Sequence, residues 1–319
     1  MKLALLFPGQ GSQTVGMGAD LNHNVPEARA VFEQANEVLG FDLARLCFEG
    51  PEEGLKATLN AQPALYVTSC AALAALRART QVTPFAFAGH SVGEYAALFA
   101  AGSVRFETGL RLVRRRAELM QQAAERKLGT MAAVLGLDAD VVRSVCERAR
   151  SAGVVSVANF NCPGQIVISG EVAAVERAGE LAKEAGAKRV LPLPVSGGFH
   201  SALMASAGDA LYPTLREAQF KQTEIPVVLN VSAEYCRAGV DFAPNLTMQM
   251  SGSVRWEESM RLLLSDEVDT FIELGSGEVL AGLMKRIDKS VRTLSVTDTA
   301  SLNGAVELLT NQAAPATVK

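Results

Sequence analysis

Ser91 stands in Gly89-His90-Ser91-Val92-Gly93, between a short apolar run (85–88) and an alanine-rich run of helical character (94–101). A Gly-x-Ser-x-Gly pentapeptide in a strand–turn–helix context is the pattern of a nucleophile elbow. The glycines allow a sharp turn without a Cβ clash, and the helix aims its N–H groups at negative charge developing near the serine. The chemistry is acyl transfer through an acyl-serine. A serine hydroxyl needs a base to take its proton. The chain holds three histidines, His23, His90 and His200. His23 lies in a polar loop. His90 adjoins Ser91 in the turn, where neighbouring side chains diverge. His200, in Val195-Ser196-Gly197-Gly198-Phe199-His200-Ser201, is the candidate base by elimination; its alternative is a satisfied core histidine.

An α/β-hydrolase places an acid between its serine and a late histidine. Here the carboxylates between Ser91 and His200 fall mostly on amphipathic helical patterns, with Asp138 and Asp140 at cap positions. A backbone carbonyl or an amide could orient the imidazole instead, giving a Ser–His dyad. Gln10, in the glycine turn Pro8-Gly9-Gln10-Gly11-Ser12-Gln13, is a candidate oxyanion-hole donor with the Val92 backbone N–H. The rival reading of that turn is a phosphate-binding nest, although it lacks the Lys-Ser/Thr of a P-loop. Arg111, Arg114, Arg115 and Arg116 share one helical segment. Leu112, Val113, Leu119 and Met120 mark its apolar face, and Arg116 falls on that face. A buried arginine needs a partner, and a carboxylate of protein or substrate is the natural one.

These residues must be positioned by a chain of 319 residues, long enough for one large domain or two smaller ones. Strand and helix patterns alternate at first: a strand at 3–7 and helices at 27–39, 63–79, 94–101 and 106–126. That alternation predicts a parallel sheet flanked by helices. The middle reads strand 130–135, helix to about 150, strands 154–160 and 165–169 joined by Asn161-Cys162-Pro163-Gly164, helix 172–185 and strand 189–193. That order, β-α-β-β-α-β, is a ferredoxin-like unit. The expected organisation is an α/β hydrolase-like large domain of residues 1–127 and 196–319, with a small inserted subdomain of 128–195. The large domain resumes with helix 201–218, strand 227–231, helix 256–264, strand 270–274 and a last helix after Gly275-Ser276-Gly277.

Composition agrees with a globular enzyme, at 49% hydrophobic and 20% charged residues. A net charge of −4 gives no overall attraction to nucleic acid. The five cysteines are scattered, with no Cys-x-x-Cys pair, as expected of free thiols in a reducing cytoplasm. The apolar run after Lys2 is shorter than the roughly 7–15 residues of a secretory signal. No run approaches the roughly 18–20 residues of a membrane span. A cytoplasmic monomer that binds neither nucleic acid nor membrane is expected, with a frayed tail from 311.

Phe7-Pro8-Gly9-Gln10-Gly11-Ser12-Gln13, Gly89-His90-Ser91-Val92-Gly93-Glu94-Tyr95, Arg116, Asn161-Cys162-Pro163-Gly164-Gln165 and Val195-Ser196-Gly197-Gly198-Phe199-His200-Ser201 together resemble the malonyl-CoA:acyl-carrier-protein transacylases of the stand-alone bacterial type. The resemblance extends through Val254-Arg255-Trp256 and Glu273-Leu274-Gly275. It implies the same hydrolase-like and ferredoxin-like pair of domains. It implies that Ser91 carries a malonyl ester, that His200 is the base, and that Arg116 holds the malonate carboxylate. Gln10 and the Val92 N–H would form the oxyanion hole. The Gln249 backbone carbonyl would orient His200, and Asn161 would lie near the acyl pocket. Malonyl-CoA and an acyl carrier protein would be the substrates, in a ping-pong reaction without metal or bound cofactor that supplies fatty acid or polyketide synthesis. Two departures concern loops: Ser253 precedes Val254, and Ser276 stands between glycines, where the family often has proline. Rival readings are a serine esterase or thioesterase, a non-catalytic scaffold, and an acyltransferase subunit charging a different carrier.

Overall fold

A computed structural model describes residues 1–195 and 197–313. Ser196, within the His200 motif, and residues 314–319, within the expected frayed tail, lie outside the described residues. The chain forms two compact units: Met1–Val113 with Thr223–Val227 and the chain from Leu263 onward, and Arg114–Gln222 with Val228–Leu262.

The first unit opens with β1 (Leu3–Phe7), α1 (Ala19–Asn24), α2 (Pro26–Leu39), α3 (Leu43–Glu49), α4 (Glu52–Lys56), α5 (Thr58–Arg79), β2 (Ala86–Gly89) and α6 (Gly93–Ala100). Helix α7 (Phe106–Arg126) carries the chain into the second unit. There follow β3 (Gly129–Leu135), α8 (Ala139–Ala149), β4 (Val155–Cys162), β5 (Gln165–Glu171), α9 (Val172–Glu184), β6 (Arg189–Pro192) and α10 (Ala205–Glu217). The two-residue β7 (Val227–Val228) precedes β8 (Tyr235–Cys236), α11 (Gly239–Gln249) and α12 (Trp256–Ser265). The chain ends through β9 (Thr270–Leu274), α13 (Val279–Ile287), β10 (Arg292–Val296) and α14 (Thr299–Ala313).

In the first unit β1 pairs in parallel with β2 and β9, and β9 with β10. Every residue of β1, β2 and β9 is buried. Apolar runs without alternation, such as Leu3-Ala4-Leu5-Leu6-Phe7, suit a parallel sheet covered on both faces. The second unit holds an antiparallel sheet in the order β4-β5-β3-β6. Helices α8 and α9 close it with a core that includes Val134, Val142, Val145, Ile166, Ile168, Val175 and Leu181. Between β4 and β5, Pro163 and Gly164 make the turn, and Gly164 takes φ 69°. This unit is larger than the 128–195 segment, since it also takes in 114–127, 197–222 and 228–262.

Some elements differ from the sequence expectation. Only Val227–Val228 of the predicted 227–231 strand is extended. Leu229 N–H donates to Glu234 O (3.0 Å) and Ala233 adopts φ 56°, which turns the chain back toward β8. The helix after Gly277 is not the last, because β10 and α14 follow it. Helix α11 occupies a stretch with no predicted element, its pattern interrupted by Gly239 and Pro244. Asp138 takes the N-cap position of α8 without a side-chain capping bond, and Asp140 pairs with Arg143 at 2.9 Å. Among the described residues, no helix is long and apolar enough to cross a membrane.

Candidate active site

In the first unit the register sets Phe7 beside Gly89, so the loops after β1 and β2 leave the same edge of the sheet. His90 N–H donates to Phe7 O at 2.9 Å and clamps the second loop to the first. Ser91 follows at φ 52°, a left-handed conformation that costs a non-glycine residue about 1–3 kcal/mol. Such strain persists only where the surroundings impose it. Here a Cβ on Gly89 would lie 2.0 Å from the Gly93 carbonyl, and one on Gly93 would lie 2.1 Å from Phe7 O. The turn is compressed until only glycine fits at both ends. Ser91 is 8% exposed, and Val92, directly after it, is the N-cap residue of α6. The positive end of that helix therefore faces the serine.

Gln10 belongs to the neighbouring loop and donates from Nε2 to Thr58 Oγ1 at 3.2 Å. Gly11 N–H is taken by Gln13 Oε1 (2.7 Å) and Ser12 N–H by Gly9 O (3.3 Å). Those bonds occupy donors that a phosphate nest would need. Ser276 Oγ donates to Ser12 O at 2.7 Å, tying the late glycine turn to this loop. Just before that turn, Glu273 is 1% exposed and accepts from Leu280 and Ala281 N–H, at 3.1 and 2.9 Å, in the first turn of α13. Burial pushes its carboxyl up to about 7 against those two donors.

In the second unit His200 is 4% exposed and adopts φ 57°. Gly198 before it is packed so tightly that a Cβ would meet Leu203 at 2.8 Å and Gly170 O at 2.9 Å. Ser201 Oγ donates to Gly198 O at 2.6 Å and closes this loop on itself. His200 Nδ1 lies 2.8 Å from Gln249 O and 3.2 Å from Gly252 O. Both partners are carbonyls and only accept, so Nδ1 carries the proton and a neutral imidazole keeps its lone pair on Nε2. Gln249 is the last residue of α11, where backbone carbonyls lack helical partners and the helix dipole is negative. That end of α11 presents its negative dipole to the imidazole, at the place where a triad puts its acid.

Arg116 is 1% exposed, with Leu112, Val113, Leu119 and Met120 also buried, as the helical spacing predicts. Arg114 and Arg115 instead meet Glu118 at the surface of α7. Arg116 Nη2 donates to Gln249 Oε1 at 3.0 Å. Gln249, fully buried, thus serves His200 with its main chain and Arg116 with its side chain. Asn161, 9% exposed, sits in β4 beside the Pro163-Gly164 turn. Gln10, Ser91 and Val92 belong to the first unit, and Arg116, Asn161, His200 and Gln249 to the second. Sequence reasoning misses Gly252, whose contribution is a bare carbonyl that no residue type announces.

A profile of the acyl transferase domain matches residues 4–306. The chain belongs to the acyl transferase domain family. Among curated members, a malonyl CoA-acyl carrier protein transacylase of Bacillus subtilis is 46% identical over 309 residues, 97% of each chain. The Haemophilus influenzae protein of the same name is 44% identical, over 97% of this chain and 99% of its own. Among solved structures, an acyl carrier protein S-malonyltransferase from Vibrio cholerae superposes with a TM-score of 0.93 at 44% identity. It covers 96% of this chain and all of its own. A malonyl-transacylase solved in complex with a type II PKS acyl-carrier protein gives 0.94 at 42% identity, covering 97% of this chain and all of its own. The acyltransferase fold is thus mixed α/β, with one parallel and one antiparallel sheet.

Proposed function

We propose that this acyltransferase moves the malonyl group of malonyl-CoA to the phosphopantetheine thiol of an acyl carrier protein. Ser91 Oγ attacks the thioester carbonyl while His200 Nε2 takes its proton. The Val92 N–H and Gln10 stabilise the tetrahedral oxyanion. Its collapse breaks the C–S bond, and CoA leaves with the proton held by His200. His200 then deprotonates the carrier thiol, whose sulfur attacks the malonyl ester, and Ser91 recovers the proton. Arg116 grips the free carboxylate of malonate, and Asn161 borders the acyl pocket. Serine and histidine suffice for this chemistry, without metal or bound cofactor.

The observation that carries the reading is the double contact of Gln249, which links a buried arginine to a histidine whose Nδ1 faces a backbone carbonyl. That pairing suits an anionic acyl group handled beside a base. The near-full-length relation to proteins named malonyl CoA-acyl carrier protein transacylase supports the donor and acceptor. On this reading the strand–Ser91–helix turn is a nucleophile elbow in a hydrolase-like domain of residues 1–127 and 196–319. The order β4-β5-β3-β6 supports a ferredoxin-like label for the 128–195 insert. The enzyme would work as a cytoplasmic monomer in fatty acid or polyketide synthesis.

Intact-mass measurement after mixing with malonyl-CoA tests this directly. One malonyl adduct is expected on the wild type and none on Ser91→Ala; a wild-type mass that stays unchanged sinks the proposal.

A further inference from the structure

Residues 252–255 are sewn to the outer edge of β4. Val254 N–H donates to Ala158 O at 2.8 Å, and Phe160 N–H donates to Val254 O at 2.9 Å. The pairing between Asn159 and Val254 is parallel. In a regular strand, neighbouring carbonyls point to opposite edges. The β4–β5 register shifts between Val157 and Asn159, a bulge that leaves Ala158 without an opposite residue. Val157 O and Ala158 O accordingly both accept from the 253–254 segment. The donor to Val157 O is a side chain: Ser253 Oγ, at 2.6 Å. Arg255 extends the seam, donating from its backbone to Asn230 O (2.9 Å) and from Nη1 to Ser232 O (2.8 Å).

The Gly252 carbonyl belongs to the peptide that joins Gly252 to Ser253, and it lies 3.2 Å from His200 Nδ1. On its far side, Gly252 N–H is held by Met248 O at 2.8 Å. Glycine is the residue most free to rotate its backbone, so something must fix that peptide plane. The Val254 bond alone leaves one residue of slack, and the Ser253 hydroxyl removes it. We infer that Ser253 is a positioning residue for the reaction: its hydroxyl, latched to Val157 O, holds the Gly252 carbonyl against His200 and keeps the imidazole aimed. The inference rests on the proposed role of His200 as base, while its geometric half does not need that role.

Single-turnover acylation by malonyl-CoA, steady-state kinetics and the imidazole proton resonance of His200 test it on the full chain. Ser253→Ala is expected to slow acylation about 5- to 20-fold, with kcat falling and KM for malonyl-CoA unchanged. The Nδ1–H resonance moves upfield as one of its two acceptors drifts away. Ser253→Thr keeps a hydroxyl on the same carbon and restores both readouts. Wild-type acylation together with a wild-type proton shift in Ser253→Ala overturns the inference. So does a loss in Ser253→Ala that Ser253→Thr does not rescue, which would mark a packing role only. A wild type that forms no malonyl adduct removes the proposed function, yet the proton shift in Ser253→Ala still tests the latch.

Discussion

Arg116 interrupts an otherwise apolar face of α7 with a buried cation, and the hydrogen bond to Gln249 fixes the guanidinium's plane. Removing one member of a buried charge pair costs about 2–5 kcal/mol. Arg116→Ala should therefore cut the preference for malonyl-CoA over acetyl-CoA by about 30-fold or more, read as the ratio of the two kcat/KM values. An unchanged ratio would place the carboxylate on another group. Arg116→Lys should recover little of it, because an ammonium offers no planar fork to a carboxylate. Arg116 is legible in the sequence because helical spacing separates it from its exposed neighbours. The residues that hold His200 are not legible in the same way. Gln249 and Gly252 act through main-chain oxygens, which every residue type has, so only family resemblance points to the first and nothing points to the second.

Helix and strand ends carry most of the constraint. Gly93 starts α6 against the Phe7 carbonyl, and Gly93→Ala should destabilise the fold by at least about 2 kcal/mol, seen as a lower denaturation midpoint. The start of α13 is held by the Glu273 carboxylate, whose pKa of about 7 stands above its unbound value of 4.5. Between those pH values the folded chain keeps a proton that the unfolded chain has released. Stability therefore falls as pH rises from 4.5 to 7, by up to about 3 kcal/mol, and stays lost above. Melting temperatures should decline from pH 5 to pH 8, and Glu273→Gln should flatten that decline. A slope that persists in the variant assigns it to other groups. The long helices α5 and α7 and the fully apolar strand β1 are plain in the sequence. Helix α11 is hidden by Gly239 and Pro244, and β10, mostly half-exposed, lacks the apolar run that marks β1.

The whole chain combines a parallel and an antiparallel sheet, and that division is readable because strands separated by helices give way to a hairpin at Pro163-Gly164. The bounds of the compact units are less readable, since they depend on which loops and helices pack together rather than on a linker of distinctive composition. All five cysteines are buried and free. Burial pushes the Cys47 and Cys146 thiols up to about 12 and raises Cys70 as well. A thiol is reactive as its thiolate, so the native protein should react slowly with a disulfide reagent and release five equivalents in denaturant. Rapid native labelling of even one cysteine would contradict the burial described. Gln249 leaves a different mark, on the history of the gene. Substitution at codon 249 replaces the amide that Arg116 sees but leaves a carbonyl where His200 needs one. On the proposed roles of Arg116 and His200, variation at that codon alters the acyl-group side of the site and leaves the support of the base in place.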